Sequence, residues 1–183
     1  MTKHDQKSAK VILETSLQSF FYTELQEFNE KALEPLPNEA IYYSSLVMDH
    51  FGEASRYFDN REGKLKNKVL GTKFLESSNL PKEERKRELK DIGDTALVIC
   101  GYFSASLNNK IIDTRYYQEL GQLAYRQLNN VIPTAYDVPS FFDVLSFRFE
   151  KLAQVIGLVS EKTLGNDFGA DDVYLIVSKK LAV

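Results

Sequence analysis

A chain of 183 residues, 43 % apolar and 27 % charged with a net charge of −3, has the length of one domain, can bury a sizeable core and offers no broad basic footprint for nucleic acid. Its one cysteine, Cys100, cannot form an internal disulfide, and the polar residues 1–10 lack the apolar stretch of a secretory signal. The longest apolar run, residues 96–103, is under half of the ~20 residues a membrane helix needs, so the expected location is the cytoplasm, away from membranes.

Residues 1–7 are expected to fray, leaving 8–183 as a single helical domain. From Ser8, the residues Leu13, Leu17, Phe20, Phe21, Leu25, Phe28 and Ala32 recur at three- and four-residue steps, one face of a long helix that Pro35 and Pro37 stop. Asn38 then reads as the N-cap of a second helix, whose stripe of Ile41, Met48, Phe51 and Phe58 bends at Gly52. A polar turn over 59–63 leads to a short helix over 64–76. Pro81 opens a longer one, running to about residue 108. Its first part, 82–91, mixes basic and acidic side chains and reads as a solvated face. Its second part carries an inward stripe of Leu89, Ile92, Ala96, Ile99, Phe103 and Leu107.

Asp113 is expected to cap a helix over 114–131, with Ile112 and Tyr117 as a hydrophobic staple. Near Pro139 a sixth helix begins. Val138, Phe142, Leu145, Phe149, Leu152, Ile156 and Val159 alternate steps of four and three, a heptad seam, and Phe141, Val144, Val155 and Leu158 widen it. Residues 171–182 close the chain. Their β-branched centre suits a strand, but with no partner strand in view the expectation is a short helix. The fold class is therefore all-α, an irregular bundle of six to seven helices.

Chemistry is sparse. The two histidines, His4 and His50, lack the Glu-x-x-His pairing of di-iron bundles, and the ligand-grade clusters of a structural metal site are missing, so no metal and no cofactor is expected. No nucleophile elbow or phosphate loop is present. Asp167, Asp171 and Asp172 lack calcium-loop spacing and read as helix caps. Cys100 reads as a small buried hydrophobe.

Local rules break at three glycines. Gly93 and Gly101 lie inside one expected helix and Gly121 inside the next, and each costs ~1 kcal/mol relative to alanine. With the turn centred near residue 111, an antiparallel hairpin sets Gly101 at the level of Gly121, Leu97 opposite Tyr125 and Ala105 opposite Tyr117. Glycine at facing positions then allows a close crossing. Asp94 sits in this patch just before an apolar run, so its carboxyl must find donors or a proton. Tyr125 is the nearest candidate, with Tyr102, Tyr116, Tyr117 and Arg126 as further members of either a polar clasp or a ligand pocket.

The stretch Gly93-Asp94-Thr95-Ala96-Leu97, then Gly101-Tyr102-Phe103, Tyr116-Tyr117, Gly121 and Ala124-Tyr125 resembles a segment of a family of uncharacterised bacterial helical proteins. The resemblance covers about a third of the domain. It implies a bacterial source and no particular activity.

Three functions compete: an interaction or regulatory module without catalytic activity, a small-molecule-binding bundle with a polar pocket around Asp94 and the tyrosines, and an enzyme using Asp94 as acid or base. The first needs no catalytic set and is the leading expectation. Its partner is an unknown protein, or a second copy of the chain met through the wide apolar helix of residues 138–159.

Overall fold

A computed structural model of the chain describes residues 11–14, 16–51, 58–61, 64–67, 70–103, 114–132, 140–164 and 174–177. The fold is all-α. Among the described residues seven helices form the body: α1 (Leu17–Glu30), α2 (Asn38–His50), α3 (Leu70–Ser77), α4 (Lys82–Tyr102), α5 (Thr114–Val131), α6 (Phe141–Phe147) and α7 (Phe149–Leu164). Two short ladders accompany them. β1 (Val11–Glu14) pairs in parallel with β4 (Tyr174–Val177), and β2 (Phe58–Arg61) pairs antiparallel with β3 (Lys64–Asn67).

α4 is the central element. It packs chiefly on α5, with which it forms an antiparallel hairpin, and on α7. α1 and α2 form a second hairpin that rests on α7 and, through fewer contacts, on α4. α6 lies against α5, where the Ser146 hydroxyl donates to the Gln122 carbonyl at 2.9 Å. One continuous core runs through these helices, with Leu25, Ile41, Ile92, Leu97, Tyr125, Phe149 and Ile156 among its fully buried side chains. Full burial of a Leu, Ile or Phe side chain contributes ~1.5–3 kcal/mol.

Several expected elements are redrawn. The first helix starts at Leu17, not Ser8, because Ser16 takes the N-cap position and its Oγ accepts from the Ser19 N–H at 3.0 Å; Leu13 belongs to β1. Asn38 is already helical, and Pro37 holds the cap position with an extended ψ of 141°. α2 ends at His50, while Phe58 lies in β2. The helix expected over 64–76 is a strand followed by a helix, β3 and α3. The long heptad helix is broken at Arg148 into α6 and α7, although Leu145, Phe149, Leu152, Ile156 and Val159 are all buried as their spacing implies. The last segment is a strand at Tyr174–Val177, not a helix. Its missing partner is β1, which the reading of a long N-terminal helix had concealed. Ala105, Ile112, Asp113, Pro139, Asp167, Asp171, Asp172 and residues 1–7 lie outside the described residues.

Candidate functional site: a buried carboxylate and the outer face of α7

Asp94 lies midway along α4 and is buried on every side. Its Oδ1 accepts two hydroxyl donors, Tyr43 of α2 at 2.6 Å and Tyr125 of α5 at 2.8 Å. Its Oδ2 accepts from Nζ of Lys90, one helical turn earlier, at 2.6 Å. Three helices thus meet on one carboxyl group. Aromatic rings close the site: Phe141 and Phe142 of α6 stand edge-on to Tyr43 at 5.1 and 6.0 Å, and the Lys90 ammonium lies 5.2 Å from the Tyr43 ring centre. Lys90 is half exposed and forms the solvent end of the cluster.

Burial pushes the Asp94 carboxyl above the usual carboxylate range; Lys90 and the two hydroxyls pull it back without cancelling the effect. Burial, with the Asp94 charge, also pushes the Tyr43 and Tyr125 hydroxyls well up, so both stay protonated and remain donors. The folded state therefore holds a proton on Asp94 at pH values where the unfolded chain, with a carboxyl near 3.8, has lost it. By linkage, this residue's contribution to stability falls as pH rises from 3.8 through its raised folded-state value. Exposed carboxylates act oppositely: Lys162 and Lys31 hold Glu27 down at about 2, so its contribution is lost as pH falls towards that value. Subtracting an Asp94→Asn melting profile from that of the unmodified chain isolates Asp94. The difference is expected to move against the unmodified chain as pH rises above 4, and a flat difference from pH 3 to 7 would contradict the shift.

Of the residues expected to share this site, only Tyr125 reaches Asp94. Tyr102 lies two turns further along α4, in a satellite cluster with Val47, Phe51 and Val98. Tyr117 is buried two turns before Tyr125, near Cys100, whose thiol burial pushes up to about 12. Arg126 is on the exposed face of α5. Tyr116 lies beside Gly71 of α3. Tyr43 and Lys90 were not foreseen. Lys90 carried a signal, the four-residue helical spacing to Asp94.

The glycines do hold close approaches, but not between Gly101 and Gly121. α4 ends at Tyr102, so the hairpin pairs one turn earlier along α4 than expected. A Cβ on Gly93 would stand 2.5 Å from the Tyr125 ring, and one on Gly121 would collide with the edge of the Phe149 ring and stand 2.9 Å from the Ala96 methyl. Gly101 faces α7 instead: its Cβ would meet Ile156 at 2.6 Å and the Ala153 carbonyl at 3.0 Å.

Chemically, the Asp94 site is spent on its own donors. Two cavities lined by described residues lie away from it. Both flank the outer face of α7. One, of about 570 Å³, lies between α7 and the 31–36 loop, over Phe28, Leu33, Leu36, Val155 and Leu158. The amide of Asn29 fixes that loop, donating to the Leu36 carbonyl and accepting from the Leu36 N–H at 3.0 and 2.7 Å. The other, of about 540 Å³, lies beside Cys100, Thr114, Glu150, Gly157 and Glu161. Gln154 and Leu158 border both and form a ridge between them. Among the described residues no three His, Cys, Asp or Glu side chains gather as a metal site, and no helix is long and apolar enough to cross a membrane. No protein family, curated protein or solved structure matches the chain.

Proposed function

We propose that this protein is a cytoplasmic interaction module without catalytic activity, and that it meets a protein partner with the outer face of α7. The observation that carries this reading is the ridge of Gln154 and Leu158 standing between two open grooves, with Leu158 and the neighbouring Leu33 exposed to solvent. Exposed apolar groups beside concave surface are the features of a recognition face. The Asp94 cluster serves as the clasp that joins α2, α4 and α5 behind that face. Its carboxyl oxygens are occupied by three donors from its own chain.

The test is a photo-crosslinking amino acid placed at Gln154, with the same group at Leu75, an exposed apolar position on α3, as the control. Cross-linked protein adducts are expected from position 154 and not from 75, and Leu158→Asp is expected to abolish them without moving the melting temperature. Equal labelling at both positions, or none at either, would remove α7 as the binding face.

A small-molecule reading has one specific support. Lys90 is a half-exposed cation on the buried Asp94, so a ligand amine could exchange with it.

A further inference from the structure

The outer strip of α7 is ordered across its width, and that order selects what can lie on it. Glu150 and Glu161 line the groove on one side of the Gln154–Leu158 ridge. The groove on the other side has an apolar lining that includes Phe28, Leu33, Leu36 and Val155. Leu158 is 43 % exposed and Leu33 fully so, which leaves the ridge and the lip of the apolar groove bare to solvent.

Charge is balanced differently on the two flanks. Along the apolar groove each cation has a carboxylate of its own chain. Lys31 pairs with Glu27 at 2.7 Å, Lys151 and Arg148 share Glu34, and Lys162 pairs with Glu24 and Glu27 at 2.7 Å each. On the other flank, Arg115, beside Thr114 in the groove wall, is taken by Glu119 at 2.9 Å. Glu150 and Glu161 form no ion pair among the described residues. They are eleven residues apart, three turns of α7 and ~16 Å, and so stand on the same side of the helix.

We infer that the partner on the outer face of α7 is a basic amphipathic helix of another protein. It lies along α7 with its apolar strip over Leu158, Leu33 and Val155, and with two cations, eleven residues apart, on Glu150 and Glu161. The inference rests on the reading of α7 as the binding face and adds the chemistry of what binds there. On any helix, residues eleven apart come round to within about 20° of one another, so both cations fall on one edge of the partner. Helices packed at the shallow crossing of about 20° stay side by side over three turns, which the spacing of the two carboxylates requires. The apolar strip supplies the anchor, and the two ion pairs set register and direction. A second copy of α7 is a poorer occupant. Antiparallel two-fold pairing brings each flank against the same flank, setting Glu150 against Glu161. Nucleic acid is poorer still, because the unmatched carboxylates repel phosphate. One helix on one groove belongs at the small end of specific interfaces, which places Kd in the micromolar range.

Fluorescence anisotropy on the full chain at low ionic strength tests the inference with labelled helical peptides. Each carries two lysines eleven residues apart, leucines on the adjoining strip, and alanine and glutamine elsewhere. Two versions, with the leucines on either side of the lysines, cover both chain directions. One version is expected to bind with micromolar Kd. Glu150→Lys and Glu161→Lys together are expected to weaken it at least roughly tenfold. The same peptide with glutamates in place of its lysines is expected to bind that variant again, which also shows the variant to be folded. Leu158→Asp is expected to abolish binding, and Glu76→Lys, an exposed position on α3, to leave it unchanged. Failure of both versions to bind overturns the inference. Binding indifferent to the double charge reversal, or not recovered by the reversed peptide, overturns it as well. A dimer in sedimentation equilibrium that Leu158→Asp disperses and the double reversal leaves intact would give the face to a second copy and reject the helix. Adducts from Gln154 that survive the double reversal would reject a basic partner while leaving α7 as the binding face.

Discussion

Asp94→Ala is expected to destabilise the chain by roughly 2–6 kcal/mol, the cost of leaving two buried hydroxyl groups without an acceptor. The substitution strands two hydroxyl donors, Tyr43 and Tyr125, and an unsatisfied buried polar group costs ~1–3 kcal/mol each. Lys90 suffers little, because its half-exposed ammonium can turn to water. Asp94→Asn isolates the charge. Its amide oxygen still accepts from the tyrosines, but its NH₂ group faces the Lys90 ammonium, donor against donor, so a smaller loss of about 1–2 kcal/mol is expected. Tyr125→Phe, at a fully buried position, is expected to cost ~1 kcal/mol, and much less in the Asp94→Asn background if the two residues act as one unit. Urea denaturation supplies these differences, with an unchanged slope confirming that the same surface is exposed. In the clasp reading, cross-linking from Gln154 survives Asp94→Asn. If a ligand is held at Asp94, its binding collapses at the Asn variant by far more than the loss of stability accounts for.

How far this site could be read from the sequence depended on how local each contact is. Asp94 and Tyr125 belong to adjacent helices joined by one short connection, and both lie on stripes whose period fixes their faces. Their meeting was therefore legible even though the register was set one turn wrong. The error came from a single boundary. The apolar stripe continues through Phe103 and Leu107, so periodicity carried α4 to about residue 108, whereas the helix stops at Tyr102. Tyr43 was not legible, because it comes 51 residues before Asp94 and reaches it only through docking of the α1–α2 hairpin. No local pattern in 38–50 distinguishes Tyr43 from Tyr42, which is exposed and stands edge-on to Tyr22 instead. Lys90 was legible but was absorbed into a run of mixed charges that reads as solvated face. The segment over 174–177 failed for the same reason as Tyr43: its strand needs β1, at the far end of the chain, and parallel pairing leaves no turn signal between partners.

The other large effect is expected at the glycines of the central hairpin, where the cost depends on what each side chain would strike. Gly121 faces the fully buried Phe149 ring on one side and the Ala96 methyl on the other, so even Gly121→Ala forces the ring or the helix to move, at ~1–3 kcal/mol despite alanine's better helix propensity. Gly101 is less forgiving, because one of its neighbours is the Ala153 carbonyl, which is backbone and cannot change rotamer. Gly101→Leu is therefore expected to separate α4 from α7, at roughly 3 kcal/mol or more. A compensating change distinguishes steric collision from loss of glycine's flexibility. Phe149→Leu opens space opposite Gly121, so in that background Gly121→Ala is expected to become neutral or favourable. Phe149→Leu gives Gly101→Leu no such relief, since Gly101 packs on Ile156 and Ala153. Equal costs for Gly121→Ala with and without Phe149→Leu would place the strain in the backbone and not in the Phe149 contact. Gly157→Ala, with ordinary room for its methyl group beside the Gly101 carbonyl, provides the internal standard: it is expected to stabilise by up to ~1 kcal/mol, opposite in sign to the two buried sites.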